Sequence, residues 1–209
     1  MPTTAARLKW IPRAIRCFLN QTYKNAELLI VEDGGEGVRA IVPSHPRIRY
    51  VVTSKCHTLG DKRNVACDCA KGDYVAHWDD DDWSAPERLQ YQIDALIRAD
   101  KLVAGFRRIY FWDESKLVAH EYAGTARYVV GTSLLYRKDW WKGHRFTGLN
   151  VGEDNIFVAQ ANTAKVLMVD DTLGLMVAST HGANTSKRTV NDTWRKADKS
   201  EIPGDYFRL

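Results

Sequence analysis

The sequence has few cysteines and no long apolar run. Its four cysteines form no CxxC pair, and Cys67 and Cys69 lie two apart in a predicted helix, where such residues point away from each other. A zinc site is therefore disfavoured, and reduced thiols in a soluble cytoplasmic protein are expected. No apolar run approaches the roughly 18 residues that a membrane span requires, so no membrane-spanning segment is expected.

Several nucleotide, metal and hydrolase motifs are also missing. The sequence contains no GxxxxGK[ST] phosphate loop, no GxGxxG fingerprint and no GxSxG nucleophile elbow. An EF-hand that began at Asp79 would need Gly at its sixth position and Glu at its twelfth, where Ser84 and Gln90 stand. P-loop, dinucleotide-binding, serine-hydrolase and EF-hand chemistry are thereby disfavoured.

Composition is that of an ordinary globular protein with a mild positive charge. Hydrophobic residues make up 44% of the 209 residues, charged residues 27%, and the formal net charge is +4. Mild basicity fits an anionic ligand, but the basic residues near the end of the chain are favoured as a solvated face. These late bases are Arg137, Lys138, Lys142, Arg145, Lys187, Arg188, Arg195, Lys196 and Lys199.

Apolar segments alternate with helical patterns over the first hundred residues. Helices are predicted from Leu8 to Leu19, at 61–70 with Gly72 as its stop, and after a capping box at 84–87, with strands at 27–32, 48–52 and 74–79. The core face of the third helix is predicted as Leu89, Ile93, Leu96 and Ile97. This order indicates an open α/β sheet with a mainly parallel core, whose ligands bind outside the strands' carboxyl ends.

In the second half of the chain, the sequence pattern predicts shorter strands in a different arrangement. A hairpin is predicted from 102–112 and 117–122, then a strand at 129–136, a short helix at 154–161, and strands at 166–170 and 173–178. After Thr180 we expect loop with one short helix at most. The start is unusual, because the chain enters a helix almost directly where an α/β unit normally opens with a strand.

Four consecutive carboxylates follow the third predicted strand. They repel one another and require solvent, a cation or both. Their place at a strand end favours a hard divalent metal, since Mg²⁺ takes one or two protein carboxylates and completes its shell with water and phosphate oxygens. A solvated acidic turn without a ligand is the alternative. The residues are Asp79, Asp80, Asp81 and Asp82.

Three other polar segments are candidates for chemistry. Gly152-Glu153-Asp154 opens a predicted helix, whose dipole keeps a carboxylate ionised and able to accept a proton, although acidic residues there are also routine caps. The loop that begins at His181 is polar and can reach a metal or phosphate, or be structural. Lys62 and Arg63 oppose the dipole of their helix, so a nearby anion explains them better than helix stability does.

Together these segments resemble a family 2 glycosyltransferase of the GT-A fold. The resemblance runs in order from residue 2 to about 188, and the shared order and spacing are more specific than any single motif. It rests on Pro2-Thr3, Asn20-Gln21-Thr22-Tyr23, residues 29–34 (LIVEDG), Lys62-Arg63-Asn64, residues 77–83 (HWDDDDW), Gly152-Glu153-Asp154 and residues 181–186 (HGANTS).

The resemblance implies a nucleotide-diphosphate sugar donor, with a UDP-sugar favoured, and Mn²⁺ or Mg²⁺ as cofactor. Asp33 would contact the nucleobase or ribose, with Arg63 nearby. Asp79 and Asp81 would be the two acidic residues of the DxD motif, with Asp79 facing the ribose and Asp81 binding the metal. His181 would reach the metal or diphosphate, and Asp82 would be a reserve ligand. The remaining implied donor-binding residues are Pro2, Thr3, Lys62 and Asp80.

For the reaction, the resemblance implies inversion at the anomeric carbon with Asp154 as general base and Glu153 beside it. It also implies one domain over 1–209, with a nucleotide-sugar half (1–100), an acceptor half (101–186) and a polar tail (187–209). The family's first strand, which would end at Pro2-Thr3, is expected to be absent. The surface from Tyr122 to Asn150, with Trp140 and Trp141, is the expected acceptor side, although core packing is the commoner role of a Trp.

Two other functions remain open on the sequence alone. A nucleotidyltransferase could use the same crevice and metal, and would release pyrophosphate without needing Asp154. A non-catalytic nucleotide-sugar or nucleic-acid binding module is the other, with salt-sensitive binding that survives loss of Asp154. The acceptor is a hydroxyl of a saccharide, lipid, protein or modified nucleic acid, and a homodimer would cover the sheet edge beside the absent strand.

Overall fold

The first part of the chain forms a small parallel sheet. The computed structural model describes residues 1–124, 128–186 and 193–208. Strand β2 (Leu28–Asp33) lies between β1 (Pro2–Thr3) and β3 (Ile48–Thr53), and both pairings are parallel. Four apolar residues of β2 are buried, as expected for a strand covered on both faces.

Strand β1 corrects the expectation that the first strand is absent. Pro2 and Thr3 pair with Val31 and Glu32, and the amide of Val31 donates to the carbonyl of Met1 at 2.9 Å. Thr3 is buried. The pairing holds Pro2 and Thr3 at the carboxyl end of β2, where the acidic residue Asp33 also lies.

A larger mixed sheet forms around one long strand, β6 (Val103–Asp113). Its first half pairs with β8 and β9, and its second half pairs with β7 and β10. The hairpin of β6 and β7 is confirmed. Within the described residues this sheet has eight strands: β4 (Tyr74–Ala76), β5 (Trp83–Ser84), β6, β7 (Val118–Ala123), β8 (Leu135–Arg137), β9 (Val166–Asp170), β10 (Met176–Thr180) and β11 (Trp194–Ala197).

Five α-helices accompany these sheets in the described part of the chain: α1 (Ile11–Leu19), α2 (Leu59–Cys69), α3 (Arg88–Arg98), α4 (Lys138–Gly143) and α5 (Glu153–Ala159). Helix α1 has Pro12 in its first turn, where the missing amide costs no hydrogen bond. Its apolar face joins the main core through Ile11, Ile15 and Phe18. The predicted α/β fold with a parallel first half is confirmed, whereas the division into functional halves stays a prediction.

The predicted start of the third helix is wrong. Ser84 is not a capping residue: it lies in β5, which pairs antiparallel with β10. The helix begins at Arg88, whose Nη1 donates to the Ser84 hydroxyl at 2.9 Å. Ile97 was expected on the core face but is 57% exposed. Strand pairing with residues 92 and 94 positions away therefore outweighed the local capping pattern.

Other boundaries also differ from the expectation. Helix α2 ends at Cys69, three residues before Gly72, and Leu8 precedes α1 instead of joining it. Between 129 and 136 only β8 is strand, because a 3-10 turn occupies Gly131–Ser133. Trp141, proposed for the acceptor side, is 1% exposed and belongs to the second core cluster.

The end of the chain contains a strand where loop was expected. Strand β11 pairs antiparallel with β7, and Arg195 on it forms ion pairs with Glu121 and Glu201 at 2.9 and 2.6 Å. Lys187 and Arg188 lie outside the described residues. No helix in the described parts of the chain combines the length and apolar character that crossing a bilayer requires.

Arg88 is a buried cation that joins three segments. It is 1% exposed, and its Nη2 donates to the carbonyls of His77 and Thr132 at 3.0 and 3.2 Å. Its Nε donates to Gln92 at 3.1 Å. These bonds hold the segment that precedes the acidic residues against the 131–133 turn.

Replacing Arg88 should destabilise the fold. We expect Arg88→Met to lower the free energy of unfolding by about 2–4 kcal/mol, because buried acceptors lose their donor. The measurement is urea unfolding followed by circular dichroism. Arg98→Met, on the exposed end of the same helix, is the control and should change stability by about 0.5 kcal/mol or less. Equal losses in both variants would contradict the role given to Arg88.

Candidate active site

Most of the predicted site residues line one cavity. It has a volume of about 270 Å³ and lies beside the carboxyl ends of β1 and β4. Two predicted residues, Asp33 and His181, lie just behind its wall and contact residues that line it, Lys62 and Asp81. The predicted residues in the wall are Pro2, Thr3, Lys62, Arg63, Asp79, Asp80, Asp81, Asp82, Glu153 and Asp154.

The four carboxylates at 79–82 form a turn between β4 and β5, which we call the acidic loop. Asp80, Asp81 and Asp82 are only 4%, 5% and 7% exposed, so the solvated acidic turn is excluded. Burial of adjacent carboxylates is costly unless each one has donors. Each member of the acidic loop is accordingly matched by donors from a different part of the chain.

Asp80 is held by the N-terminal segment. It accepts hydrogen bonds from the Thr3 hydroxyl at 2.6 Å and from Nε and Nη2 of Arg7 at 3.0 and 2.7 Å. Burial raises the pKa of Asp80, although Arg7 opposes that effect. Both oxygens therefore already have protein partners in this structure.

Asp81 is the carboxylate that meets the C-terminal loop. Its Oδ2 accepts from Nε2 of His181 and Nδ2 of Asn184, both at 3.0 Å, and it also contacts Nη2 of Arg7. The His181 ring stacks on Trp10 with centroids 3.9 Å apart. His181 thus lies beside Asp81 with its ring stacked on Trp10, and its predicted contact with a metal or diphosphate stays a prediction.

Asp82 faces the protein interior. Its Oδ1 accepts from the amide of Ser179 at 2.9 Å, and its Oδ2 accepts from the Thr132 hydroxyl. Burial and the charges of Asp81 and Asp79 raise the pKa of Asp82 to about 8. Because both oxygens are engaged, its role as a reserve metal ligand stays a prediction that its contacts do not favour.

The two cations of helix α2 bind the protein's own carboxylates. Lys62 forms an ion pair with Asp33 and donates to the carbonyl of Thr3 at 3.2 Å. Arg63 donates from Nε to Glu153 at 3.1 Å, and its Nη1 lies 3.6 Å from Asp79. The anions expected near Lys62 and Arg63 are therefore carboxylates of the protein itself.

Glu153 and Asp154 are neighbours with different surroundings. Glu153 is 3% exposed and bound to Arg63, and burial raises its pKa although Arg63 opposes that effect. Asp154 is half-buried, lines the cavity and accepts the amide of Asn155 at 2.8 Å. Both carboxylates line the cavity at the start of α5, but Asp154 is the less buried of the two.

A divalent cation fits part of the predicted ligand set. Asp81 and His181 offer an oxygen and a nitrogen 3.0 Å apart, and Mg²⁺ or Mn²⁺ can complete its shell with water and diphosphate oxygens. Among residues 1–124, 128–186 and 193–208 there is no group of three or more His, Cys, Asp or Glu side chains arranged for a metal. Asp81 and His181 are thus the predicted metal ligands that lie in contact in the described structure, and metal binding stays a prediction.

Several site residues were missed by the sequence analysis. Arg7 and Trp10 lie between β1 and α1, and Arg13 of α1 donates to the Ser179 hydroxyl at 2.7 Å and contacts the carbonyl of Asp81. The one available signal was the basic and aromatic run at the start of a predicted helix. No local sequence pattern pointed to Thr132 or Ser179, because their partner Asp82 is 50 and 97 residues away, respectively.

Comparison with known families agrees with this arrangement. The model of the family described as "Glycosyl transferase family 2" matches residues 1–163. The chain belongs to glycosyl transferase family 2. The match covers the acidic loop and Asp154 but ends before His181.

Curated relatives of this family 2 chain are similar over part of their length. An uncharacterized glycosyltransferase of Haemophilus influenzae is 28% identical over 94 residues, 43% of this chain and 38% of the relative. Chondroitin synthase of Escherichia coli is 30% identical over 91 residues, 41% of this chain and 13% of the relative. The chain thus spans less than two thirds of the length of these relatives.

Solved structures support the family 2 fold. The crystal structure of S. aureus TarS 1–349 superposes with a TM-score of 0.65 at 19% identity, covering 85% of this chain and 58% of that chain. TarS 1–349 in complex with UDP-GlcNAc gives a TM-score of 0.68 at 18% identity, covering 90% and 60%. At this identity the likeness establishes the fold.

Gly131 provides the space that the Asp154 side chain occupies. A Cβ at position 131 would lie 1.6 Å from Oδ2 of Asp154 and 2.9 Å from its Cβ. Any larger residue at 131 therefore collides with the carboxylate and with the first turn of α5.

We expect Gly131→Ala to displace the Asp154 carboxylate and to lower the free energy of unfolding by about 1–3 kcal/mol, as overpacking does. A crystal structure of the variant and its urea midpoint measure the two effects. Gly143→Ala is the control, since an added Cβ there meets nothing within 4 Å. An unmoved Asp154 in the Gly131 variant would refute the steric argument.

Proposed function

We propose that this chain transfers a sugar from a nucleotide-diphosphate sugar to an acceptor hydroxyl, with inversion at the anomeric carbon. The observation that carries the proposal is one cavity whose lining includes both the acidic loop and the Asp154 carboxylate. An inverting displacement requires two such groups, because a base deprotonates the acceptor while charge on the leaving group is neutralised.

For the donor, we propose that Pro2, Thr3, Asp33, Lys62 and Arg63 surround the nucleoside. Lys62 and Arg63 both line the cavity, where Lys62 is paired with Asp33 and Arg63 contacts Asp79. A uridine nucleotide is favoured, because crystal structures of the similarly folded TarS contain UDP and UDP-GlcNAc. Asp79 is proposed to face the ribose.

For the cofactor, we propose Mn²⁺ or Mg²⁺ on Asp81 and His181. When bound, the cation would neutralise charge on the diphosphate. The protein's own part is to hold the two ligands 3.0 Å apart, with the His181 ring fixed by its stack on Trp10 and Asn184 bonded to the same Asp81 oxygen.

Asp154 is the proposed general base. It lies in the first turn of α5 and lines the cavity. The acceptor hydroxyl gives its proton to the Asp154 carboxylate, its oxygen bonds to the anomeric carbon, and the bond from that carbon to the diphosphate breaks. Glu153 is proposed to position Arg63 and not to touch the acceptor, because it is buried and bound to that guanidinium.

The proposed acceptor side is the wall formed by Asn150, Val151 and Asn155 next to Asp154. Val151 is 58% exposed and Leu149 39% exposed, so this rim is partly apolar. The acceptor class stays open among a saccharide, a lipid, a protein and a modified nucleic acid. Trp140 remains a candidate for contact with a sugar ring.

Donor binding should raise the thermal midpoint. With UDP at about 100 times its Kd and Mn²⁺ present, we expect about 2.7 kcal/mol of stabilisation and a rise of about 5 °C or more. Asp81→Ala should lose the metal-dependent part of the rise, whereas Asp94→Ala on the exposed face of α3 should keep it. No rise with any nucleoside diphosphate, with or without metal, would refute the proposed donor.

Loss of the proposed base should stop turnover without affecting donor binding. We expect Asp154→Asn to lower the rate of UDP release from a UDP-sugar by about 10²–10⁴-fold, with the UDP-induced thermal shift unchanged. The control is Asp139→Asn, an exposed acidic residue in the first turn of α4. Release of pyrophosphate from UTP and a sugar 1-phosphate, with no release of UDP from a UDP-sugar, would indicate a nucleotidyltransferase, and donor binding without any turnover would indicate a binding module.

A further inference from the structure

Arg7 occupies the acidic wall of the cavity. Its guanidinium binds Asp80 through Nε and Nη2 at 3.0 and 2.7 Å, and the same Nη2 contacts Oδ2 of Asp81. Its Nη1 donates to the carbonyl of Ala183 at 2.7 Å, and its Cζ lies 4.9 Å from the centre of the Trp10 ring. One cation thus joins two carboxylates to the loop that carries His181.

The position of Arg7 overlaps with the proposed cation site. Oδ2 of Asp81 is the oxygen that His181 approaches to 3.0 Å, and it is also the oxygen that Arg7 contacts. Two cations on one carboxylate oxygen repel each other strongly in a partly buried site. A divalent cation that binds Asp81 therefore requires Arg7 to weaken or leave this contact.

Arg7 has different surroundings from Arg88, the buried arginine that joins three segments of the fold. Arg88 is 1% exposed and two of its bonds go to backbone carbonyls of the interior. The Arg7 side chain is 15% exposed, lines the cavity, and has carboxylates as its main partners. A guanidinium can exchange carboxylate oxygens for diphosphate oxygens, because both suit its forked set of N–H donors.

We propose that Arg7 links cation entry to diphosphate binding. Before the donor binds, its guanidinium neutralises Asp80 and Asp81. As a divalent cation takes Asp81, the guanidinium turns to the diphosphate of the donor, while its stem stays beside Trp10. The proposal rests on the proposed function, since it assigns Arg7 to the same donor and cation.

The first measurement is the affinity for Mn²⁺ without nucleotide, from electron paramagnetic resonance of the free ion. Because the competing charge is gone, Arg7→Gln should bind Mn²⁺ about tenfold more tightly than wild type, a difference of about 1.4 kcal/mol. Arg7→Lys keeps the charge, so its Mn²⁺ affinity should stay closer to that of wild type.

Lys9→Gln is the matched control. Lys9 lies 5.0 Å from the same Trp10 ring, but its side chain is 75% exposed and pairs with Glu114. Its loss should therefore change the Mn²⁺ affinity less than about twofold.

The second measurement is UDP affinity by calorimetry at saturating Mn²⁺. Arg7→Gln should bind UDP about tenfold more weakly, since a charge-assisted contact to the diphosphate is lost, and Lys9→Gln should match wild type. Unchanged Mn²⁺ affinity in Arg7→Gln overturns the competition, and unchanged UDP affinity overturns the transfer to the diphosphate.

The two measurements also separate this proposal from the proposed function. Tighter Mn²⁺ binding in Arg7→Gln, together with no UDP binding by wild type, supports competition at Asp81 and refutes the proposed donor. UDP binding with no Mn²⁺ binding by wild type or variant overturns the competition and leaves a metal-free transferase. Circular dichroism of each variant establishes that it is folded.

Discussion

Burial of three of the four adjacent carboxylates in the acidic loop is the constraint on which this structure depends. Like charges in sequence repel, and burial adds the cost of losing water, so every member needs donors of its own. Those donors come from five separate segments: the N-terminal stretch, helix α2, the 131–133 turn, strand β10 and the loop after it. They are Thr3, Arg7, Arg63, Thr132, Ser179, His181 and Asn184. The acidic loop is therefore the point at which the two sheets and their loops are tied together.

Because each buried carboxylate needs its own donors, neighbouring acidic residues make different contacts. Asp81 meets the cavity and His181, whereas Asp82 binds a backbone amide and a hydroxyl of the interior. Glu153 and Asp154 differ in the same way, since successive residues in a first helical turn point in different directions. All these side chains were candidates because they are acidic. The direction in which each side chain points decides whether it can face a substrate or instead binds other residues of the site.

Positive charge in the site is supplied by the protein itself. Arg63 and Arg7 are each bound to a carboxylate of the cavity wall, and Lys62 is bound to Asp33 behind that wall. Such pairs hold both partners in place before a ligand arrives, which lowers the ordering cost of binding. A bound diphosphate and its cation would have to share these partners, so donor, cation and protein charges form one coupled set. This coupling explains why we assign Arg7 to the donor as well as to the acidic loop.

Local pattern determined the elements whose signal is contained in their own residues. Strands β2, β3, β6 and β7 and helix α1 could be predicted from local pattern, as could an α/β sheet with a parallel first half, whereas the GT-A fold class was implied by the family resemblance. Tertiary structure decided features that need a distant partner. Ser84 became strand because it pairs with Met176, and β11 formed against β7 although its own segment reads as polar loop. Arg7 and Trp10 reached the site for the same reason: their partners are 73 or more residues away, and hydrophobic period or local propensity contains no information about contacts at that separation.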